Sequence, residues 1–113
     1  MNIQIIGTKK CKTTQKATRF FKERGVSFHL MDLNQRAISP GELDNVLRRI
    51  DAEDLLDTES QTYKKKGMAY MEFDIREELL ENPSLMKTPV VRNGKEVTVG
   101  LATAEWESWL KDR

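Results

Sequence analysis

The sequence predicts an α/β fold. One mixed sheet is built from a β-α-β unit near the N-terminus and a β-hairpin-α unit near the C-terminus, with a mostly helical stretch between them. Three observations carry this. The apolar runs "NIQIIG" (2–7) and "VSFHLMDL" (26–33) flank an amphipathic segment. "VVRNGKEVTV" (90–99) contains Asn-Gly between alternating residues, a strong short hairpin signal. Residues 34–87, between these units, read mostly as helix.

In chain order, residues 2–7 are rich in isoleucine and closed by Gly7, as in a buried strand. From Thr13 to Arg24, Ala17, Phe20 and Phe21 fall at helical spacing, with Gly25 as the stop. Residues 26–33 set Val26, Phe28 and Leu30 against Ser27, His29 and Met31, the alternation of a strand. "SPGELDNVLRRI" offers Ser39 as N-cap, Pro40 in the first turn and Glu42 to complete a capping box. Its stripe is Leu43, Val46, Leu47 and Ile50. Two short helices follow in 51–66, closed by Gly67, and another spans 73–83, stopped before Pro83. A turn at Asn93-Gly94 makes the hairpin, and a last helix from a Thr103 cap to Arg113 puts Trp106, Trp109 and Leu110 on one face. A β-α-β unit joined to a β-β-α unit is the thioredoxin-like arrangement, with 34–87 as a helical insertion.

A chain of 113 residues is near the commonest size for one domain, so 1–113 is expected to be a single domain. Its 19 Lys+Arg balance 18 Asp+Glu, which argues against direct nucleic-acid binding through a strongly basic face, although a local patch is compatible with it. No signal-peptide core follows Met1, and no apolar run reaches the roughly 18 residues of a membrane helix. One cysteine makes no internal disulfide, and no Cys/His cluster has metal spacing. The expectation is a reduced, cytoplasmic protein without a bound metal or cofactor and without a membrane partner.

Chemistry centres on "GTKKCKTTQ", where Cys11 precedes the first helix. Free N–H groups and the helix dipole at that position favour thiolate, the nucleophilic form, and Lys10 and Lys12 push the same way. Thr13 and Thr14 can donate to the sulfur or cap the helix. The competing reading is a small inert core residue, since free cysteine is often buried. Thr88-Pro89 sits before a strand whose start lies beside Cys11 in this fold. A cis bond there would offer backbone to whatever docks at the sulfur, whereas a trans proline would simply open the strand.

Taken in order, "GTKKCKTTQKATRFFKERGVSFHLMDL", "ISPGELDNVLRRI", "LLDTESQTYKKKG" and "LLENPSLMKTPVVRNGKEVTVG" resemble the arsenate-reductase-like family, which includes arsenate reductases and Spx-type transcription regulators. The resemblance implies a thioredoxin fold with a helical insertion and a functional cysteine at Cys11. Where Spx-like members carry a second cysteine, this chain has Thr14, so no C-x-x-C switch is possible. Where arsenate reductases place three oxyanion-binding arginines, it has Asp57, Thr88 and Leu101, which argues against arsenate as substrate.

Among other candidates, Arg92 could reach an anion or stand as an exposed hairpin arm. Lys64, Lys65 and Lys66 could bind carboxylates or form a solvated helix end. His29 could be a base or a surface residue of the sheet. Trp106 and Trp109 read as core anchors. The expected function is a monothiol oxidoreductase-like activity, with Cys11 attacking a disulfide-bearing or oxidised substrate. Glutathione or another external thiol would resolve the mixed disulfide. The alternative is a non-catalytic Spx-like module that binds a protein of the transcription machinery.

Overall fold

Ile3, Ile5 and Ile6 make β1 (Ile3–Gly7) one of the two interior strands of a four-stranded sheet in the computed structural model, which describes residues 1–111. The strand order is β2-β1-β3-β4, with β2 spanning Phe28–Asp32, β3 Val90–Asn93 and β4 Glu96–Val99. β1 runs parallel to β2, with Ile5 opposite Leu30, and antiparallel to β3, with Ile5 opposite Val91. β3 and β4 form the antiparallel hairpin. The connection from β1 to β2 is α1 (Lys12–Glu23), and α6 (Thr103–Lys111) follows β4. This is the thioredoxin-like topology. Positions 112 and 113 of the expected last helix lie outside the described residues.

One face of the sheet builds the core. Ile3, Ile5 and Val91 pack with Ala17, Phe20 and Phe21 of α1 and with Trp106 and Trp109 of α6. The Phe20, Phe21 and Trp106 rings stand 5.0 to 5.4 Å apart in edge and tilted contacts. Full burial of a large apolar side chain contributes about 1.5–3 kcal/mol, so this cluster is the main anchor of both helices. Trp106 is fully buried, and its Nε1–H donates to Thr98 Oγ1 at 2.9 Å, which ties α6 to β4.

The chain divides into two compact units, residues 1–36 with the segment from Thr88 onward, and residues 37–87. The second unit contains α2 (Pro40–Leu47), α3 (Ala52–Leu55), α4 (Gln61–Lys65) and α5 (Ile75–Glu81). Ser39 and Glu42 form the expected capping box. The buried side chains of this unit include Leu43, Val46, Leu55, Met68, Leu79 and Leu85. An antiparallel bridge joins Leu56 to Met86, and Arg76 grips Asp44 with two nitrogens at 2.7 and 3.1 Å.

Several boundaries differ from the sequence expectation. The hairpin turns at Gly94-Lys95, not Asn93-Gly94, because Asn93 pairs with Glu96. Gly94 has φ +59 and among the described residues no non-glycine residue has positive φ, so only the first turn position is left-handed, the type II′ pattern. α2 ends at Leu47, short of Ile50. α5 starts at Ile75 because the Asp74 side chain accepts from the Glu77 N–H and so caps it. Thr103 is the first helical residue of α6 rather than its cap, and the Trp106 N–H reaches the Ala102 carbonyl.

Candidate functional site

Cys11 is the N-cap of α1, with extended backbone (φ −73, ψ 120) and no side-chain capping bond. The chain enters this position by a turn in which the Cys11 N–H donates to the Thr8 carbonyl at 3.2 Å. Its own carbonyl then accepts the first helical bond, from the Gln15 N–H. The sulfur therefore sits where the helix has free N–H groups, and it is partly exposed.

Thr88 is brought to the same place by β3. The Thr88 hydroxyl donates to Cys11 Sγ at 3.1 Å, and Thr13 Oγ1 lies 3.1 Å from the sulfur on the other side. Thr13 Oγ1 also donates to the Thr88 carbonyl at 2.8 Å, locking helix to strand. The Thr88-Pro89 peptide is cis. Burial alone would push the Cys11 pKa up. Hydrogen bonding from the Thr13, Thr14 and Thr88 side chains and from the Thr14 N–H overcomes this and brings it from 9.0 down to about 7. The buried Thr14 hydroxyl completes no hydrogen bond in the structure, so we assign the side-chain part chiefly to Thr13 and Thr88, whose contacts are short.

The structure thus gathers Cys11, Thr13, Thr14, Thr88 and Pro89. Lys10 and Lys12 are exposed, and neither is among the causes of the lowered pKa. Arg92 stands on β3 opposite Gln4, whose Oε1 accepts from Arg92 Nη1 at 3.2 Å, and makes no contact with the sulfur. His29 is exposed and also pairs with Gln4, well before the Gly7 end of β1. Lys64 and Lys66 are engaged by Glu59 and Glu78. Asp57 is occupied in a local turn, with its Oδ1 accepting from the Glu59 N–H. Leu101 is 48% exposed. Among the described residues no group of His, Cys, Asp and Glu could hold a metal ion, and no helix is long and apolar enough to cross a membrane.

One residue of the site escaped sequence reasoning. Gly7 closes β1 directly beneath the Thr14 side chain. A Cβ at Gly7 would overlap the Thr14 hydroxyl and lie 2.8 Å from its methyl carbon. Gly7 is thus required by space rather than by backbone conformation, and the only sequence signal was its place at the strand's end.

A four-stranded mixed sheet with Cys11 at the start of its first helix, beside the cis Thr88-Pro89 peptide, gives the molecule a thioredoxin-like fold. The chain belongs to the ArsC family, which matches residues 6–109. It is 27% identical over 105 residues to the global transcriptional regulator Spx 2 of Oceanobacillus iheyensis, with 88% of this chain and 77% of that protein covered. Among solved structures it is similar to the YffB protein (TM-score 0.85, 23% identity, 94% of this chain and 96% of that one). It is also similar to an arsenate reductase (ArsC) related protein from Brucella melitensis (TM-score 0.72, 27% identity, 98% and 96%).

Proposed function

We propose that the protein is a monothiol oxidoreductase in which Cys11 is the nucleophile and an external thiol such as glutathione resolves the intermediate. The observation that carries this is the pair of hydroxyl contacts at 3.1 Å on a partly exposed sulfur whose pKa falls to about 7. About half of such a thiol is ionised at neutral pH, a useful balance between thiolate fraction and intrinsic nucleophilicity.

The Cys11 thiolate attacks one sulfur of a substrate disulfide. A new S–S bond forms with Cys11, and the other substrate sulfur leaves as a thiolate that takes a proton from water. One external thiolate then attacks the substrate sulfur of a glutathione-type adduct, or the Cys11 sulfur of a protein adduct. The first attack resolves a glutathione-type adduct outright, giving glutathione disulfide and the free Cys11 thiolate. The protein adduct leaves a disulfide between Cys11 and the external thiol, which a second external thiolate reduces, so that two external thiols become one disulfide. Thr88 and Thr13 favour the thiolate both as nucleophile and as leaving group. Arsenate is not the proposed substrate, since Thr88, exposed Leu101 and turn-bound Asp57 offer no bidentate cation.

The test is the rate of Cys11 alkylation by iodoacetamide against pH, with mass spectrometry of the protein after incubation with glutathione disulfide. Labelling with a midpoint near 7 and a single glutathione adduct are expected. A midpoint at or above 9.0 with no adduct would make Cys11 structural. The similarity to a global transcriptional regulator favours a second reading, a regulatory module that binds a protein of the transcription machinery. Under that reading, partner binding persists after Cys11→Ser.

A further inference from the structure

We infer that the outer face of α1 docks an acidic segment of a partner protein and delivers that partner's disulfide to Cys11. The delivery rests on the oxidoreductase reading above; the docking does not. Residues 9–24 carry seven cations against one anion, Glu23. The local net charge is therefore +6 in a chain whose total is +1, which leaves −5 for all other residues. All seven cations are exposed, and among the described residues none forms an ion pair. In the other unit three of seven cations, Lys64, Lys66 and Arg76, each hold a carboxylate.

The cations are also arranged. Lys12, Lys16 and Arg19 follow one another at i, i+4 and i+7, so they form one stripe that starts beside Cys11. The stripe leads to a shallow cleft of about 250 Å³ whose lining holds three cations, Lys16, Arg19 and Arg24, against one anion, Glu23, with Phe20, Leu101 and Thr103 between them. Arg24 is fixed there, its guanidinium 3.8 Å over the Phe20 ring and one nitrogen donating to the Phe20 carbonyl. Leu101 is among the few large apolar side chains left exposed. The complement is an anionic strand with one apolar side chain for the cleft.

Dimensions and charge favour a peptide segment over other polyanions. Twelve helical residues span about 18 Å, which five or six extended residues cover. A nucleic-acid duplex would bring further phosphates toward Glu23, in a chain whose net charge is only +1. Leu101 alone is too little apolar surface for a lipid bilayer. Acidic groups along the stripe would steer association and set its register, while the cleft selects the side chain.

The test uses the full chain carrying Cys11→Ser and a fluorescein-labelled peptide of alternating Glu and Gly around one Phe. A matched peptide carries Gln for Glu. The acidic peptide is expected to bind about tenfold tighter than its Gln counterpart at about 50 mM salt, and to weaken as salt rises. Lys16→Glu with Arg19→Glu should lower its affinity about tenfold with the thermal midpoint unchanged, and Leu101→Ser about threefold at any salt. Equal binding of both peptides, or affinity that survives the double charge reversal, overturns the inference. So does duplex DNA or a phosphatidylserine vesicle that binds at least as tightly and is released by the same double substitution. Exchange by the wild-type protein separates the two readings. If the acidic peptide docks but its disulfide form yields no adduct with Cys11, the docking surface stands and the oxidoreductase reading falls. If Cys11 exchanges with glutathione disulfide and with both peptide disulfides at equal rates, the chemistry stands and the docking falls.

Discussion

Thr13 and Thr88 sit at equal distance from the Cys11 sulfur, yet they are not equivalent. A carbonyl only accepts, so the 2.8 Å contact between Thr13 Oγ1 and the Thr88 carbonyl uses the single hydroxyl hydrogen of Thr13. To stabilise the thiolate, Thr13 must turn that hydrogen away from the carbonyl, and the gain is offset by the bond it gives up. Thr88 has no such rival: its hydroxyl points its hydrogen at the sulfur. A hydrogen bond to a charged group is worth about 1.5–3 kcal/mol, and partial exposure of the sulfur trims this toward the lower end. Thr88→Val should therefore raise the Cys11 pKa by about one pH unit, and Thr13→Val by clearly less. Alkylation profiles of the two variants check this, and an equal or larger rise for Thr13→Val would refute the asymmetry.

At the scale of elements, the site depends on how closely α1 approaches β1. Thr14 is 1% exposed and packs onto Gly7, so Gly7→Ala must push the first turn of α1 off the strand. Overpacking of this kind costs about 1–3 kcal/mol. Thr14→Ala removes the two atoms that the new methyl would meet most closely, so the double variant should recover part of the loss. Urea unfolding of the two single variants and the double variant tests this, and simple additivity of the losses would mean the two residues do not meet. The same elements show what was legible in sequence. The strands, α1, the capping box at Ser39 and the cysteine's place at a helix start follow from periodicity and local chemistry, which act over a few residues. The Gly7–Thr14 contact, and the choice of Thr88 rather than lysine charge to tune Cys11, arise from tertiary packing. Thr88 lies 77 residues from Cys11, and only pairing of β3 with β1 brings it there. Even the hairpin, well marked by Asn93-Gly94, turned one residue later because strand register, not turn propensity, decided it.

Over the whole molecule, charge is divided between the two units. Residues 1–36 and 88–113 hold 12 Lys+Arg and 6 Asp+Glu, whereas residues 37–87 hold 7 and 12, so a net +1 conceals units of +6 and −5. A protein near its pI of about 7.8 has almost no net repulsion between copies, and here each copy presents a basic and an acidic unit to its neighbours. At about 10 mM salt the Debye length is about 30 Å, long enough for these opposite fields to act between molecules; at about 0.15 M it is about 8 Å. Static light scattering near neutral pH should then give a negative second virial coefficient at low salt that rises toward zero as salt is added. A positive coefficient that falls with added salt is the behaviour of a uniformly like-charged particle and would contradict this division. Lys16→Glu with Arg19→Glu takes the basic unit from +6 to +2, so it should flatten the salt dependence even as it raises the net charge magnitude to −3. Attraction that is unchanged in that variant would place its origin outside α1.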